Sequence, residues 1–166
     1  MMKKIVCAGL IAALLCTCAL AEACFGDFAT QDLFGNLATD SEFSNYDVTM
    51  VYVWATWCDY CQTEMPELEY VYRNLPANAN LVTFCYDGLD EMDTALEMAG
   101  SEPFKTLLIT QEIYDRFLYQ AYAFPTTFFV DCWGNMIGQP IVGVPSATDS
   151  ASVYLESINE LLNEYA

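Results

Sequence analysis

A buried strand that leads directly into an amphipathic helix restricts the folds open to this chain. The segment "TMVYVWAT" (Thr49–Thr56) is apolar on both faces and rich in β-branched and aromatic residues, which indicates a strand covered on both sides. Apolar side chains then recur at helical spacing from about Asp59 to Asn74, and Pro66 inside this pattern is expected to kink the helix. This β–α unit predicts a sheet with helices packed on its faces.

Strands and helices keep alternating along the rest of the chain. The predicted order is β-α-β-α-(β-α)-β-β-α, which indicates an α/β domain of three layers, α/β/α, with a mixed, mostly parallel sheet. The last two strands form an antiparallel hairpin, and its second strand lies at the sheet edge because Pro140 cannot donate to a central ladder. "DLFGN" (Asp32–Asn36) has the turn chemistry to join two short N-terminal strands. The remaining predicted strands are Asn80–Asp87, "KTLLIT", "TTFFVD" (Thr126–Asp131) and "MIGQPIVGV". The remaining predicted helices are one with Met92, Ala95, Leu96 and Ala99 that ends at Gly100, one with Ile113, Phe117, Leu118 and Ala121, and one with Leu155, Ile158, Leu161, Leu162 and Tyr165.

The first residues are typical of an export signal. Two lysines precede an apolar run from Ile5 to Leu20, and Ala19-Leu20-Ala21 has the small-x-small pattern of a cleavage site. We therefore expect a signal peptide over residues 1–21 and a single domain over residues 22–166, exported to the extracellular space or the cell envelope. Two alternatives stay open, an uncleaved membrane anchor and lipidation at Cys24.

The composition excludes several classes of function. The net charge is −18, which would repel phosphates, so we expect no nucleic-acid partner. The chain has no histidine and so lacks the usual general base and the commonest zinc ligand. An odd number of cysteines follows the predicted signal, so at least one is unpaired or pairs with another molecule: Cys24, Cys58, Cys61, Cys85 and Cys132.

The stretch "WATWCDYCQTEMPEL" holds Cys58 and Cys61, which could form a metal clip, a structural disulfide or a redox pair. A zinc site needs four ligands, and the chain offers a single CxxC and no histidine, so we expect no metal. A structural crosslink over so short a loop would add little stability. The redox interpretation fits best, because Cys58 falls at the start of a helix, where free N–H groups and the helix dipole stabilise a thiolate. Cys61 follows one turn later on the same face and can close the disulfide.

Two strings together carry a specific resemblance, "WATWCDYCQTEMPEL" and the later "FPTTFFVD". With a lead-in "FATQDLFGN" and a final helix, the chain resembles the thioredoxin fold from about Phe28 to its C-terminus. More narrowly, it resembles exported thiol–disulfide oxidoreductases of the TlpA/ResA type within the redoxin superfamily. The sequence departs from the commonest family pattern between the cysteines, where Tyr60 stands in place of a proline and Asp59 follows the first cysteine.

The resemblance implies a role for individual residues. Cys58 corresponds to the exposed nucleophile and Cys61 to the buried resolving cysteine. Pro125 corresponds to a cis-proline that faces the disulfide and holds extended substrate backbone. Glu64 corresponds to an acidic residue thought to tune the thiols and relay protons, and a partly buried carboxyl group there would have a raised pKa and could accept the proton of Cys61. The residues predicted to contact the substrate are Trp57, Phe124 and Thr126.

Each of these roles has a plainer alternative. Glu64 could be a solvated residue of the helix surface, Pro125 an ordinary loop proline, and Trp57 a core side chain. Cys85 is interpreted as buried apolar filler and Cys132 as inert. A Cys85–Cys132 bond is not expected, because the strand that precedes Cys58 would lie between them.

The predicted activity is reduction or exchange of protein disulfides by a monomer without cofactor. Asp59, the acidic surface and the lack of nearby histidine or lysine all disfavour the Cys58 thiolate, which favours a reductase over a disulfide-forming oxidase. The resemblance implies that a membrane thiol carrier returns the electrons. Two alternatives stay open. One is a thiol peroxidase of the redoxin group, although Thr56 stands two residues before Cys58 and not three. The other is a binding module with an idle CxxC.

Overall fold

The computed structural model describes residues 24–165. The predicted signal peptide therefore lies outside the described residues, and the proposed domain start at residue 22 stays a prediction. Among the helices of residues 24–165, none combines the length and hydropathy needed to cross a membrane.

A five-stranded mixed sheet forms the centre of the molecule, with the strand order β5-β4-β3-β6-β7. Strands β3, β4 and β5 run parallel to one another, whereas β6 is antiparallel to both β3 and β7. Two short strands, β1 and β2, form a separate antiparallel pair around the predicted turn. The strand bounds are β1 Ala29–Gln31, β2 Leu37–Thr39, β3 Val48–Trp54, β4 Ala79–Cys85, β5 Lys105–Leu108, β6 Thr126–Val130 and β7 Met136–Val142.

The central strand β3 is buried along its whole length, as its apolar sequence predicts. Because successive side chains of a strand point to opposite faces, β3 supplies both cores of the molecule. Met50, Tyr52 and Trp54 belong to one buried cluster, and Val51 and Val53 belong to the other. The edge position predicted for β7 is confirmed.

Helices cover both faces of the sheet, so the predicted three-layer architecture is confirmed. One cluster receives side chains from α2, α3 and α5, and the other receives them from α1, α4 and a 3-10 turn. The helix bounds are α1 Ser41–Ser44, α2 Asp59–Arg73, α3 Met92–Ala99, α4 Gln111–Arg116 and α5 Ser150–Tyr165, with the 3-10 turn at Leu118–Gln120.

The helix predicted through Ala121 is shorter than its apolar pattern indicated. It ends at Arg116, and Phe117 departs from helical geometry before the 3-10 turn begins. Phe117 is buried in the second core, where its ring stacks at 4.0 Å on that of Phe25. Helix α4 and the 3-10 turn both place apolar side chains in the same core. The apolar spacing alone therefore did not show where α4 ends.

The direction of β6 decides where the active site forms. Thr126 at the start of β6 pairs with Val53 near the end of β3. The chain between β5 and β6 stays at the end of the sheet where β3 leads into Cys58, and Pro125 enters β6 at that end. Only β6 runs against the other four strands, so the predicted mixed, mostly parallel sheet is confirmed. Since β3 lies between β4 and β6, the separation of Cys85 from Cys132 is confirmed.

Candidate active site

Cys58 and Cys61 form a disulfide at the start of α2, with an S–S distance of 2.07 Å. Cys58 is the N-cap residue, and its sulfur accepts a hydrogen bond from the Cys61 backbone N–H at 3.1 Å. The Cys58 side chain is 6% exposed and that of Cys61 is fully buried. An attacking thiol from outside can therefore approach Cys58, whereas Cys61 is shielded beneath it.

The Phe124–Pro125 peptide bond is cis, and it lies at the same end of the sheet as the disulfide, where β3 ends and β6 begins. The Phe124 ring packs edge-on against the exposed ring of Trp57, with 5.5 Å between the ring centroids. On its other side Phe124 contacts Tyr86 at 5.1 Å. Thr126 points inward and donates its hydroxyl to the Ala123 carbonyl oxygen, so its side chain faces away from solvent.

The aromatic side chains next to the disulfide form a ridge that we call the aromatic lip, comprising Trp57, Phe124 and Tyr86. Trp57 is 65% exposed and Tyr86 is 46% exposed. Exposed rings of this size offer apolar area with little conformational entropy to lose on binding. The lip is suited to contact with a polypeptide that presents a disulfide to Cys58.

Glu64 lies on the inner side of α2 and is 2% exposed. Its Oε2 accepts a hydrogen bond from the Tyr52 hydroxyl at 3.0 Å, and its Oε1 accepts one from the Tyr154 hydroxyl at 3.2 Å. Burial raises the pKa of Glu64, and the charge of Glu67 adds to this, while hydroxyl groups of Ser150, Tyr52 and Tyr154 oppose it. A carboxyl group with a raised pKa keeps its proton to a higher pH than a solvated one does.

Glu64 lies next to a surface cleft. The residue borders a cleft of about 150 Å³ between α2 and the loop that precedes α5. The buried Tyr52 and Tyr154 hydroxyls have raised pKa values, chiefly through burial and then through the charge of Glu64, so they remain protonated donors. The carboxyl group is thus held in place by two neutral donors.

Asp87 connects the end of β4 to the loop that carries the first cysteine. Its two carboxylate oxygens accept hydrogen bonds from the backbone N–H and the hydroxyl of Thr56, at 2.9 and 2.6 Å. The thiol of Cys85 points to the same carboxylate at 3.5 Å. Burial, followed by the neighbouring Asp87 charge, raises the pKa of Cys85, so this fully buried residue stays a neutral thiol, as expected of a buried filler.

Of the remaining two cysteines, Cys132 lies in the turn between β6 and β7 and Cys24 packs against the same turn. Cys24 forms an isolated bridge with Asn135, and its sulfur lies 3.5 Å from the Trp133 carbonyl oxygen. Cys24 and Cys132 are half-buried, and neither forms a disulfide within residues 24–165. Lipidation of Cys24 and the inertness of Cys132 stay predictions.

The structure therefore brings Cys58, Cys61, Trp57, Phe124 and Pro125 together at the end of the central strand β3, and Glu64 lies behind them in α2. Sequence reasoning missed the residues that surround this set, which come from β3, α5 and the end of β4. The position of Asp87 offered one signal, because ligand-binding residues of α/β sheets gather beyond the carboxyl ends of parallel strands. The missed residues are Tyr52, Tyr154, Thr56, Asp87 and Tyr86.

Solved structures with the same fold confirm the thioredoxin-like architecture. The exposed lipoprotein thioredoxin Etrx1 of Streptococcus pneumoniae is 16% identical with a TM-score of 0.67, over 81% of this chain and 99% of the other. DsbF of Mycobacterium tuberculosis is 22% identical with a TM-score of 0.63, over 81% and 94%. A secreted disulfide oxidoreductase of Mycobacterium tuberculosis, homologous to DsbE of Escherichia coli, is 18% identical with a TM-score of 0.58, over 82% and 95%.

The sequence itself matches a known family. No curated protein matches the chain, so the family assignment depends on the family model alone. The model that matches describes the AhpC/TSA family and aligns to residues 22–137. This stretch includes the disulfide, Glu64 and the cis-proline. Because the match extends over more than half of its length, the chain belongs to the AhpC/TSA family.

Proposed function

We propose that this protein is an exported thiol–disulfide oxidoreductase that reduces disulfides in other proteins. The observation that carries the proposal is the Cys58–Cys61 disulfide at the start of α2. It lies at the same end of the sheet as a cis-proline and beside the aromatic lip. A structural crosslink would not need an exposed ridge of aromatic rings next to its outer sulfur. A redox pair that must dock a polypeptide does need such a surface.

The reaction begins from the reduced dithiol. The Cys58 thiolate attacks one sulfur of the substrate disulfide, forming a mixed disulfide, and the displaced substrate thiolate takes up a proton. Glu64, in its ionised form, accepts the proton of Cys61, and the Cys61 thiolate then attacks the Cys58 sulfur. The Cys58–Cys61 disulfide forms and the second substrate thiolate leaves, so two electrons pass from the protein to the substrate. A dithiol donor then reduces the protein again, and we propose a membrane thiol carrier for this role.

The charge distribution supports reduction as the direction. The basic residues of the described chain, Arg73, Lys105 and Arg116, each pair with a glutamate away from the disulfide. Asp59 lies in the first turn of α2, next to Cys58. With no free cation among residues 24–165 to stabilise the Cys58 thiolate, the disulfide is the favoured form, and the pair is a good electron donor.

Export and the TlpA/ResA type belong to the same proposal. The sequence pattern of residues 1–21 supports an export signal. The fold is shared with proteins described as an exposed lipoprotein and a secreted oxidoreductase. Disulfide chemistry of this kind persists in such compartments.

A turnover assay with a disulfide-bonded protein such as insulin and a dithiol donor tests the proposal. We expect Cys58→Ala to abolish turnover and Cys61→Ala to accumulate the mixed disulfide, which mass spectrometry detects. Cys132→Ala is the matched control, since Cys132 lies outside the site, and it should retain full turnover. Retained activity in Cys58→Ala would rule the proposal out. Faster consumption of a hydroperoxide than of any disulfide would instead favour a thiol peroxidase, and binding of polypeptides without turnover would favour a binding module.

A further inference from the structure

We propose that a pocket adjoining the aromatic lip, which we call the acidic pocket, binds a lysine or arginine side chain of the substrate polypeptide. The proposal rests on the proposed function and adds a preference among protein disulfides. The pocket has a volume of about 300 Å³ and lies between the loop after β4 and the start of α4. Four of its lining residues have the chemistry to bind a cation: Tyr86, Asp87, Asp90 and Tyr114.

The acidic pocket is continuous with the active site through two sets of contacts. Tyr86 is both a wall of the pocket and a member of the aromatic lip, and its ring lies 6.3 Å from that of Tyr114 and 5.1 Å from that of Phe124. Asp87 is both a wall of the pocket and the residue that holds Thr56, two positions before Cys58. A substrate that crosses the lip from Cys58 therefore reaches the pocket without leaving the surface.

The spacing suits an extended polypeptide. The successive ring-to-ring steps from Trp57 to Phe124, to Tyr86 and to Tyr114 measure 5.5, 5.1 and 6.3 Å. An extended chain advances about 3.3 Å per residue, so a side chain within about five residues of the substrate cysteine is in range of the pocket.

The walls have the chemistry that recognises a cation. Asp87 and Asp90 contribute two carboxylates, and the two hydrogen bonds from Thr56 hold that of Asp87 in one orientation. Tyr86 and Tyr114 contribute aromatic rings, which attract a lysine or arginine head group above their faces. An alkyl stem can lie along Ile109, which also lines the pocket, while the charged end meets the carboxylates.

The part of the chain that the structure describes supplies no cation to the acidic pocket. Within residues 24–165, Arg73, Lys105 and Arg116 form ion pairs elsewhere with Glu69, Glu42 and Glu112. No basic side chain among residues 24–165 therefore forms an ion pair with the pocket carboxylates, and the net charge of −18 adds a field that attracts basic segments. A basic side chain of a partner gains both the local and the long-range attraction.

The test uses the reduced protein and three peptide disulfides that differ in a single property. Each peptide has a central cysteine, linked to a chromogenic thiol, and carries lysine, glutamine or glutamate about four residues away on each side. The rate constant for release of the chromogenic thiol is measured for each. We expect the lysine peptide to react about tenfold faster than the glutamine peptide, and the glutamate peptide to react more slowly than both.

Variants separate the pocket from the general charge of the protein. Asp90→Asn should reduce the lysine-to-glutamine rate ratio to about half or less, and Asp90→Lys should reverse the preference in favour of the glutamate peptide. Glu160→Gln is the matched control, because it removes the same charge from α5 on the other face of the sheet, and it should leave the ratio unchanged.

The outcomes distinguish the acidic pocket from the proposed function. Equal rates for the three peptides would overturn the pocket and leave the proposed function standing. An equal decrease of the ratio in Asp90→Asn and Glu160→Gln would also overturn it, since long-range attraction would then account for the preference. If the protein reacts with none of the peptides and none of the protein disulfides, the proposed function fails, and the pocket proposal fails with it.

Discussion

Glu64 carries its carboxyl group into the core between β3 and α5, where two tyrosine hydroxyls take the place of water as hydrogen-bond donors. A buried carboxylate without donors would be expensive, and the protein meets this cost with Tyr52 and Tyr154. The arrangement keeps an ionisable group one helical turn from Cys61. The solvated alternative considered for Glu64 does not hold, because the side chain is almost fully buried.

Replacing this carboxyl group should slow the second chemical step. In Glu64→Gln, Cys61 loses its proton acceptor, so we expect the mixed disulfide to resolve at least about tenfold more slowly, with the first attack by Cys58 changed little. Rapid-quench mass spectrometry of the mixed disulfide measures the two steps separately. Glu160→Gln on the exposed side of α5 is the control, and equal slowing of both steps in Glu64→Gln would contradict a role in resolution.

The same residue should make stability depend on pH. The ordinary pKa of a glutamate is 4.5, and burial raises the pKa of Glu64 in the folded protein. The folded state therefore holds this proton at a pH where the unfolded state has released it. The stability from this difference is present below about pH 4.5 and is lost as the pH rises through the folded pKa. In urea unfolding of the oxidised protein, the parent should lose stability relative to Glu64→Gln as the pH rises above this value. An unchanged difference from pH 4 to pH 8 would contradict the raised pKa.

At the element scale, the site depends on a contact between the segment after β4 and the loop after β3. β3 and β4 are parallel and in register, so Trp54 lies beside Cys85, and the chain segments that follow them emerge together. Asp87, after β4, grips Thr56, after β3, through two hydrogen bonds. This contact positions the start of α2 and the disulfide from outside the helix.

Loss of the two Thr56–Asp87 hydrogen bonds should destabilise the loop before α2. Asp87→Ala removes the acceptor of both Thr56 hydrogen bonds, and we expect the free energy of unfolding to fall by about 1.5–3 kcal/mol, as for hydrogen bonds to a charged group. Urea unfolding followed by circular dichroism measures the change. Thr56→Ser keeps the hydroxyl and serves as the control, and equal stability of Asp87→Ala and the parent would show that the contact does not hold the loop.

At the scale of the whole molecule, the N-terminal lead-in closes the second core. The Phe25 ring lies among those of Phe28, Phe43, Phe84 and Phe117, with centroid distances from 4.0 to 5.9 Å. The segment before β1 is therefore part of the domain and seals the face of the sheet opposite α2 and α5.

Removing one ring from this cluster should destabilise the whole domain. Phe25 is 1% exposed, so Phe25→Ala leaves a cavity. We expect the free energy of unfolding to fall by about 3–5 kcal/mol. Phe34→Ala is the matched control, since Phe34 is 67% exposed and its loss should cost less than about 0.5 kcal/mol. Thermal unfolding of the two variants compares them directly, and similar midpoints would show that Phe25 is not part of a cooperative core.

The local patterns of the sequence determined the order of strands and helices, the burial of β3 and the position of Cys58 at the start of α2. These features depend on residues a few positions apart, whose periodicity and end signals are visible in the chain itself. Only the tertiary structure decided that β6 runs against β3, which brings Pro125 to the disulfide, and that Tyr154 reaches Glu64 from 90 positions away. It also decided that Asp87 holds Thr56 and that Tyr86 and Tyr114 wall the acidic pocket. Contacts of this kind join distant segments, and no local pattern specifies which distant side chains will meet.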